Sequence, residues 1–396
     1  MADSTKGRAG AGRVSSVYAA VCGLVMVLVW VAPARSETWS IQTVDSWGTV
    51  GTHTSLALNP AGNPCICYRE DNAFERVKYA EWNGSSWAIE PVGIPLVSYT
   101  GSCSLALDSA GKPHISLSGT PQSQVLRLLY LDHTGSTWSY DFPDPASGCG
   151  SYSSVATDSS DYAHISYYDT YNGDLKYAAW NGASWDVHTV DSDGLVGRYT
   201  SLALDSAENP HIAYHDYTYG NLKCAAWTGS AWDIRTVDSD GWVGLSACLA
   251  LDEDDNPRIS YYDADHGDLK YAAWTGSYWS IQTVDSDGDV GTDSSLALDA
   301  DGNPHISYAD FSNGNLKYAA WDGSSWTIQT VDSDGDVGYD SSLAIDPATG
   351  TAYISYSDRS HQDLKLAINE NAVVPEPATL SLLTLGLGLL LRRRRD

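Results

Sequence analysis

The sequence predicts an all-β fold on three observations: an internal repeat of about 47 residues, four strand-like runs in each copy, and a last copy whose missing run stands near the head of the chain. The motif Ser-Leu-Ala-Leu-Asp recurs seven times, its first leucine or the substitute falling at Leu56, Leu105, Val155, Leu202, Leu249, Leu296 and Leu343. Those positions are 49, 50, 47, 47, 47 and 47 residues apart, so almost the whole chain is one supersecondary unit copied seven times. A period of this size, filled with short strands, indicates a β-propeller rather than a helical solenoid.

One copy shows why each run is a strand. The runs Ser295-Leu-Ala-Leu-Asp299, His305-Ile-Ser-Tyr308, Leu316-Lys-Tyr-Ala-Ala-Trp321 and Trp326-Thr-Ile-Gln-Thr-Val-Asp332 alternate with turn residues. The breaks are Asp301-Gly-Asn-Pro304, Ser312-Asn-Gly-Asn315 and Asp322-Gly323, where Gly and Asn take positive φ and Pro fixes it. They are too short for crossover helices, so the four strands form an antiparallel meander, one blade.

The seventh copy runs Ser342 to Asp346, Tyr353 to Asp358 and Leu364 to Ile368, then stops without its Trp-x-Ile-x-x-Val strand. That strand is found as Trp39-Ser-Ile-Gln-Thr-Val-Asp45 before the first copy. It is expected to complete the last blade, so that the ring closes and no blade keeps an unpaired flank. The first two copies are degraded: the second reads Leu126-Arg-Leu-Leu-Tyr130 in its third strand and Ser116-Leu-Ser-Gly119 where others read Ser-Tyr-Tyr-Asp.

Residues 1–36 carry Lys6, Arg8 and Arg13, an apolar run from Val17 to Val31, and small residues around Ala34-Arg-Ser36. This pattern is that of a secretory signal removed by signal peptidase before Glu37. Residues 37–370 hold the propeller. Residues 371–396 hold Pro375, Glu376 and Pro377, an apolar stretch from Ala378 to Leu391, and Arg392, Arg393, Arg394 and Arg395. The order of these three parts resembles the PEP-CTERM sorting signal of Gram-negative bacteria. The resemblance implies an exported protein, held transiently in the inner membrane and cut by a protease of the exosortase type. The arginines would stay on the cytoplasmic side, and a short apolar run suits a transient anchor better than a permanent transmembrane segment.

Composition agrees with export. The chain has 50 Asp plus Glu against 22 Lys plus Arg, a net charge of −28. Such a surface repels nucleic acid and anionic lipid and suits neutral or cationic ligands. The low lysine content also argues against a sulfated or phosphorylated polymer as ligand. Six cysteines lie beyond residue 36; Cys65 and Cys67 share a strand face, and Cys103 with Cys149 is the most plausible disulfide, set against the reading that all are free and buried.

The strongest polar pattern is Asp-Ser-Asp-Gly after the fourth strand: Asp191/Asp193, Asp238/Asp240, Asp285/Asp287/Asp289 and Asp332/Asp334/Asp336. Carboxylates two apart on a turn suit calcium, although the EF-hand's glycine and terminal glutamate are missing. The plainer reading is an Asx-turn with Gly at positive φ. Four histidines, His114, His164, His211 and His305, open second strands; on neighbouring blades they lie too far apart to share one metal, and a packing role is expected.

Second strands end in Tyr167-Tyr168-Asp169, Tyr214-His215-Asp216, Tyr261-Tyr262-Asp263, Tyr308-Ala309-Asp310 and Tyr356-Ser357-Asp358. Aromatic faces beside carboxylates hold sugars, which makes Tyr168, Asp169, Asp216, Tyr262, Asp263, Asp310 and Asp358 candidate ligand residues, with one tyrosine of each pair in the core, the next exposed, and the carboxylates exposed at strand ends. The paired tryptophans, such as Trp227/Trp232, are expected to fill space between blades.

The ring resembles lectin-like and sialidase-like propellers in architecture, yet the Ser-x-Asp-x-Gly-x-x-Trp box of sialidases is absent: Val284-Asp-Ser-Asp-Gly288 sits in a different linker and lacks the tryptophan. No nucleophile with its base, phosphate loop or HExxH helix is present. Repetition of the best-defined residues favours multivalent binding over catalysis. The sequence therefore points to a secreted propeller that binds extracellular or matrix carbohydrate at repeated weak sites, with calcium as a candidate ion. The alternatives are a scaffold of the exopolysaccharide layer and a polysaccharide-cleaving enzyme using the irregular first two blades.

Overall fold

The computed structural model describes residues 38–71, 76–93, 98–99, 101–120 and 125–370. The expected signal peptide and the sorting segment lie outside them. Seven antiparallel sheets follow one another along the chain. Blade four is representative, with strands Val196–Leu204, Pro210–Asp216, Asn221–Trp227 and Trp232–Asp238 paired in that order. The first strands of successive blades pack side by side around the axis, and that of blade seven, Val337–Ile345, packs against that of blade one, Val50–Leu58. Among the described residues no helix is long and apolar enough to cross a membrane.

Ring closure is as the sequence predicts. Ser40–Asp45 pairs antiparallel with Asp363–Asn369, Ser40 opposite Ile368 and Asp45 opposite Leu364, and so becomes the fourth strand of blade seven. Blade two is the irregular one: its first strand is broken into Ser98–Tyr99 and Ser104–Leu107, which pair separately with Pro113–Thr120.

The core lies between blades rather than inside one. Leu175 and Tyr177 of blade three pack with Val196, Leu202, Ile212 and Tyr214 of blade four as a single buried cluster. Ile212 and Leu222 are fully buried, each contributing about 2 kcal/mol by leaving water. The glycine of each Val-Gly pair makes this approach possible. At Gly197, with φ +105°, an added Cβ would meet the Leu175 Cα at 2.7 Å. Only a residue without a side chain lets the first strand come this close to the preceding blade.

Candidate functional site

The Asp-Ser-Asp-Gly carboxylates sit at the blade junctions. The first aspartate of each motif turns back into the interface and meets two groups of the next blade. Asp191 Oδ2 accepts hydrogen bonds from Tyr214 Oη at 2.7 Å and Lys223 Nζ at 2.6 Å, while its Oδ1 accepts the amide of Asp193 at 3.1 Å. The same Asp–Tyr–Lys triad recurs as Asp238–Tyr261–Lys270, Asp285–Tyr308–Lys317 and Asp332–Tyr356–Lys365. Two further triads lack the sequence motif: Asp144–Tyr167–Lys176, and Asp45–Tyr68–Lys78 across the seam that closes the ring. Burial pushes the Asp191, Asp238 and Asp285 carboxyls up, but the lysine ammonium, the tyrosine hydroxyl and the turn amide together hold them below the usual carboxylate range.

The first carboxylates thus have lysine as their cation, and the amide bonds are those of the Asx-turn. Asp193, Asp240, Asp287 and Asp334 are exposed on the loops, and so is Asp336; Asp289 is half-buried and accepts Tyr262 Oη at 2.6 Å. Among the described residues no group of three or more His, Cys, Asp or Glu converges as a cation site.

The junction between blades one and two has no triad. Register places Val92, Leu117 and Leu129 at the corresponding points, and all three are fully buried in one apolar cluster. The whole polar set has been exchanged for an apolar one, a swap that leaves no buried charge without its partner.

The Tyr-Tyr-Asp residues differ from expectation. Asp169, Asp216, Asp263, Asp310 and Asp358 are buried, not exposed, because each caps the turn that follows it: Asp169 Oδ1 accepts the amides of Tyr171 and Asn172, and Asp310 Oδ2 accepts Asn313 Nδ2 at 3.0 Å. The triad lysines face them as well, Lys365 Nζ lying 2.7 Å from Asp358 Oδ2. Tyr168 is buried like Tyr167, and Tyr262 is half-buried with its hydroxyl engaged. The structure does not bring these residues together as an open ligand site. The histidines have the expected packing role: His305 lies between Tyr318 Oη at 2.5 Å and Asp299 Oδ2 at 3.4 Å.

Open clefts occur instead beside the tryptophans, at the other end of the second and third strands. At the blade three–four junction a cleft of about 260 Å³ is lined by Tyr177, His188, Glu208, Asn209, Trp227 and Trp232. Corresponding positions form clefts of about 380 Å³ between blades two and three, around Asp141, Tyr162 and Trp180, and about 570 Å³ between blades seven and one, around Gln42, Asn63 and Trp82. In some pairs the second tryptophan ties the wall to the preceding blade: Trp185 Nε1 donates to Asp141 Oδ2 at 2.9 Å, and Trp326 Nε1 to Gln282 Oε1 at 3.0 Å, whereas Trp87 and Trp279 make no such bond among the described residues. The first tryptophan is left half-buried, its indole forming the cleft wall.

A further opening, of about 530 Å³, lies at the axis. In six of the blades the first strand bulges after its Val-Gly pair, Cys149-Gly150 in blade three, and the second residue beyond the glycine takes a left-handed backbone: His53, Tyr152, Tyr199, Ser246, Asp293 and Asp340 have φ between 49° and 54°. For non-glycine residues this costs on the order of 1 kcal/mol each. Hydroxyls of neighbouring blades hold the strained carbonyls: Thr54 Oγ1 donates to Asp340 O at 2.8 Å, Ser341 Oγ to Asp293 O at 2.8 Å, and Thr200 Oγ1 to Tyr152 O at 2.7 Å. Sequence reasoning missed these residues. The signal was there, as two freely varying positions after the glycine in a stretch that otherwise changes little between copies.

Comparison with known proteins bears on the C-terminus and on the fold. Residues 373–395 match the family model of the PEP-CTERM protein-sorting motif. No curated protein matches the chain's sequence. Among solved structures, a protein of unknown function from Dyadobacter fermentans DSM 18053 is similar at 11% identity and a TM-score of 0.50, over 84% of this chain and 97% of that one. An Aleuria aurantia lectin in complex with Fucα1-6GlcNAc gives 15%, 0.48, 74% and 98%. An α-L-arabinofuranosidase from Fusarium graminearum in complex with an iminosugar inhibitor gives 11%, 0.47, 84% and 96%. At such identity the first likeness speaks of the fold alone. With the motif in place after blade seven, the chain is an exported, membrane-processed protein: a seven-bladed β-propeller carrying a PEP-CTERM sorting signal.

Proposed function

We propose that this protein is a non-catalytic carbohydrate-binding propeller of the extracellular surface or matrix, and that its weak sites repeat at the blade junctions. The observation that carries the reading is the recurrence of one cleft design at three junctions, with a half-buried tryptophan beside polar side chains such as His188, Glu208 and Asn209. An indole face accepts the C–H face of a sugar ring, while the polar side chains take its hydroxyls. The acidic surface favours neutral over anionic polymers. Several such sites on one ring bind a polymer with an avidity that none has alone.

The test is titration of the purified protein with neutral polysaccharides. Trp227→Ala and Trp180→Ala should each erode avidity in steps while the melting temperature stays within a few degrees of the parent. Failure of every neutral polysaccharide to bind would refute the reading.

A further inference from the structure

We propose that the axial mouth is a second, single binding site, distinct in residues and stoichiometry from the junction clefts, and that it takes one neutral sugar unit. Its walls have two characters. Blades six, seven and one supply polar groups: His53 Nδ1 lies 3.1 Å from Asp340 Oδ1, and the Asp340 amide donates to Asp293 Oδ2 at 3.2 Å. Blades three and four supply an aromatic platform, Tyr152 and Tyr199, whose ring centroids are 4.6 Å apart.

The Asp293 and Asp340 carboxylates share the mouth with the Arg359 guanidinium and the His53 imidazole, so groups of both signs meet there and the opening is not lined for one sign of charge. Arg359 stacks on the Tyr339 ring at 3.3 Å and makes no ion pair among the described residues. Asp293 receives one backbone N–H and no side-chain donor among the described residues. Both therefore retain hydrogen-bonding capacity toward the cavity, Arg359 as donor and Asp293 as acceptor. Burial, then the neighbouring Asp340 charge, push the Asp293 carboxyl up to about 6. A ring of hydroxyls with one apolar face fits platform and polar wall together, and the volume falls within the range of small-ligand sites.

Strain points the same way. A glycine would adopt the left-handed backbone freely, yet the mouth carries tyrosine, histidine and aspartate there. The side chains at these positions carry a backbone cost that glycine would not.

The experiment is calorimetric titration of the full mature protein with glucose, galactose, mannose, N-acetylglucosamine and cellobiose at millimolar concentrations, with sialic acid as anionic control. The expected result is one site per chain for at least one neutral probe. Tyr152→Gly with Tyr199→Gly should weaken it at least tenfold while the melting temperature holds or rises, and Asp293→Asn should remove the gain in affinity expected between pH 5 and pH 7. Trp227→Ala should leave the axial site intact, which separates failure here from failure of the clefts. Absence of binding by the parent, preference for sialic acid, or equal binding by the glycine variant would each overturn the proposal, as would a large loss of stability in that variant.

A different observation carries a second proposal. Cys67 of blade one and Cys103 of blade two are buried with their sulfurs 2.9 Å apart, closer than unbonded sulfur atoms pack. The expected Cys103–Cys149 disulfide is not formed: the six cysteines of the described residues are free, as the alternative reading had it, and Cys149 lies against Asp144. We infer that Cys67 and Cys103 form a disulfide in the exported protein, across the one junction whose triad is replaced by apolar residues. The two thiols lose two protons and two electrons to the disulfide of an extracytoplasmic thiol oxidant, which is reduced to its dithiol. Alkylation of the denatured, unreduced protein should label four of the six cysteines, and Cys103→Ser should expose Cys67 to label. Labelling of all six without reductant would overturn it.

Discussion

Lys223 reaches back from blade four to Asp191 of blade three, 2.6 Å from ammonium to carboxylate, with both side chains nearly shut off from water. The bond crosses a junction that no strand pairing crosses. The blades are therefore joined by polar latches as well as by packed apolar faces.

Breaking one latch leaves an uncompensated charge in the interface. Lys317→Met or Asp285→Asn should each cost about 3 kcal/mol in denaturant unfolding. The triple change Asp285→Val, Tyr308→Leu and Lys317→Leu copies the apolar junction of blades one and two, and should cost less than either single change. If the single variants unfold like the parent, the latches are ornamental.

Stability should fall at both extremes of pH. The Asp45, Asp144, Asp191, Asp238 and Asp285 carboxyls are lowered in the fold, so their contribution is present above about pH 4 and is lost as pH falls through the lowered values. The Lys176, Lys270 and Lys365 ammonium groups are raised, so theirs is present below about pH 10 and lost as pH climbs through the raised values. Asp293 runs the other way, its raised carboxyl destabilising the fold as pH rises from about 4 to about 6. Melting curves at stepped pH test all three, and Asp293→Asn should flatten the last alone.

Removing residues 37–45 takes away the fourth strand of blade seven and the acceptor of Tyr68 and Lys78. The truncated protein should melt markedly lower and aggregate through the exposed edge at Leu364 to Ile368. A parent-like melting curve would mean that the seam contributes little.

Sorting is tested in a host with an exosortase-type protease. The mature protein should lack Arg392 to Arg395, and Glu376→Ala should retain it in the inner membrane. Intact C-terminal peptide in the medium would contradict this.

Blade count and strand order were legible in the sequence because the unit is written seven times over, and the closing strand because the seventh copy lacks it while the run from Trp39 to Asp45 stands alone before the first. The latches were not, because Asp191 meets Tyr214 and Lys223 only 23 and 32 residues later, in another blade. A clue was available: Lys223 is the one charged residue in Leu-Lys-Cys-Ala-Ala-Trp, an otherwise apolar strand. The buried state of Asp169 and Asp310 was hidden for a related reason. Alternation along a strand says which side a residue faces, but in a propeller both sides face a blade.

The latch also bears on how such a ring is inherited. Acceptor and donors of each Asp–Tyr–Lys set belong to different copies, so a lone copy carries half of two latches and can satisfy neither. A copy added or lost whole leaves every half matched to a neighbour. Loss of part of a copy does not. Duplication in units of one blade is therefore the rearrangement this architecture tolerates, and chain ends can fall inside a blade where the detached strand still brings its aspartate to the latch, as Ser40–Asp45 does in blade seven.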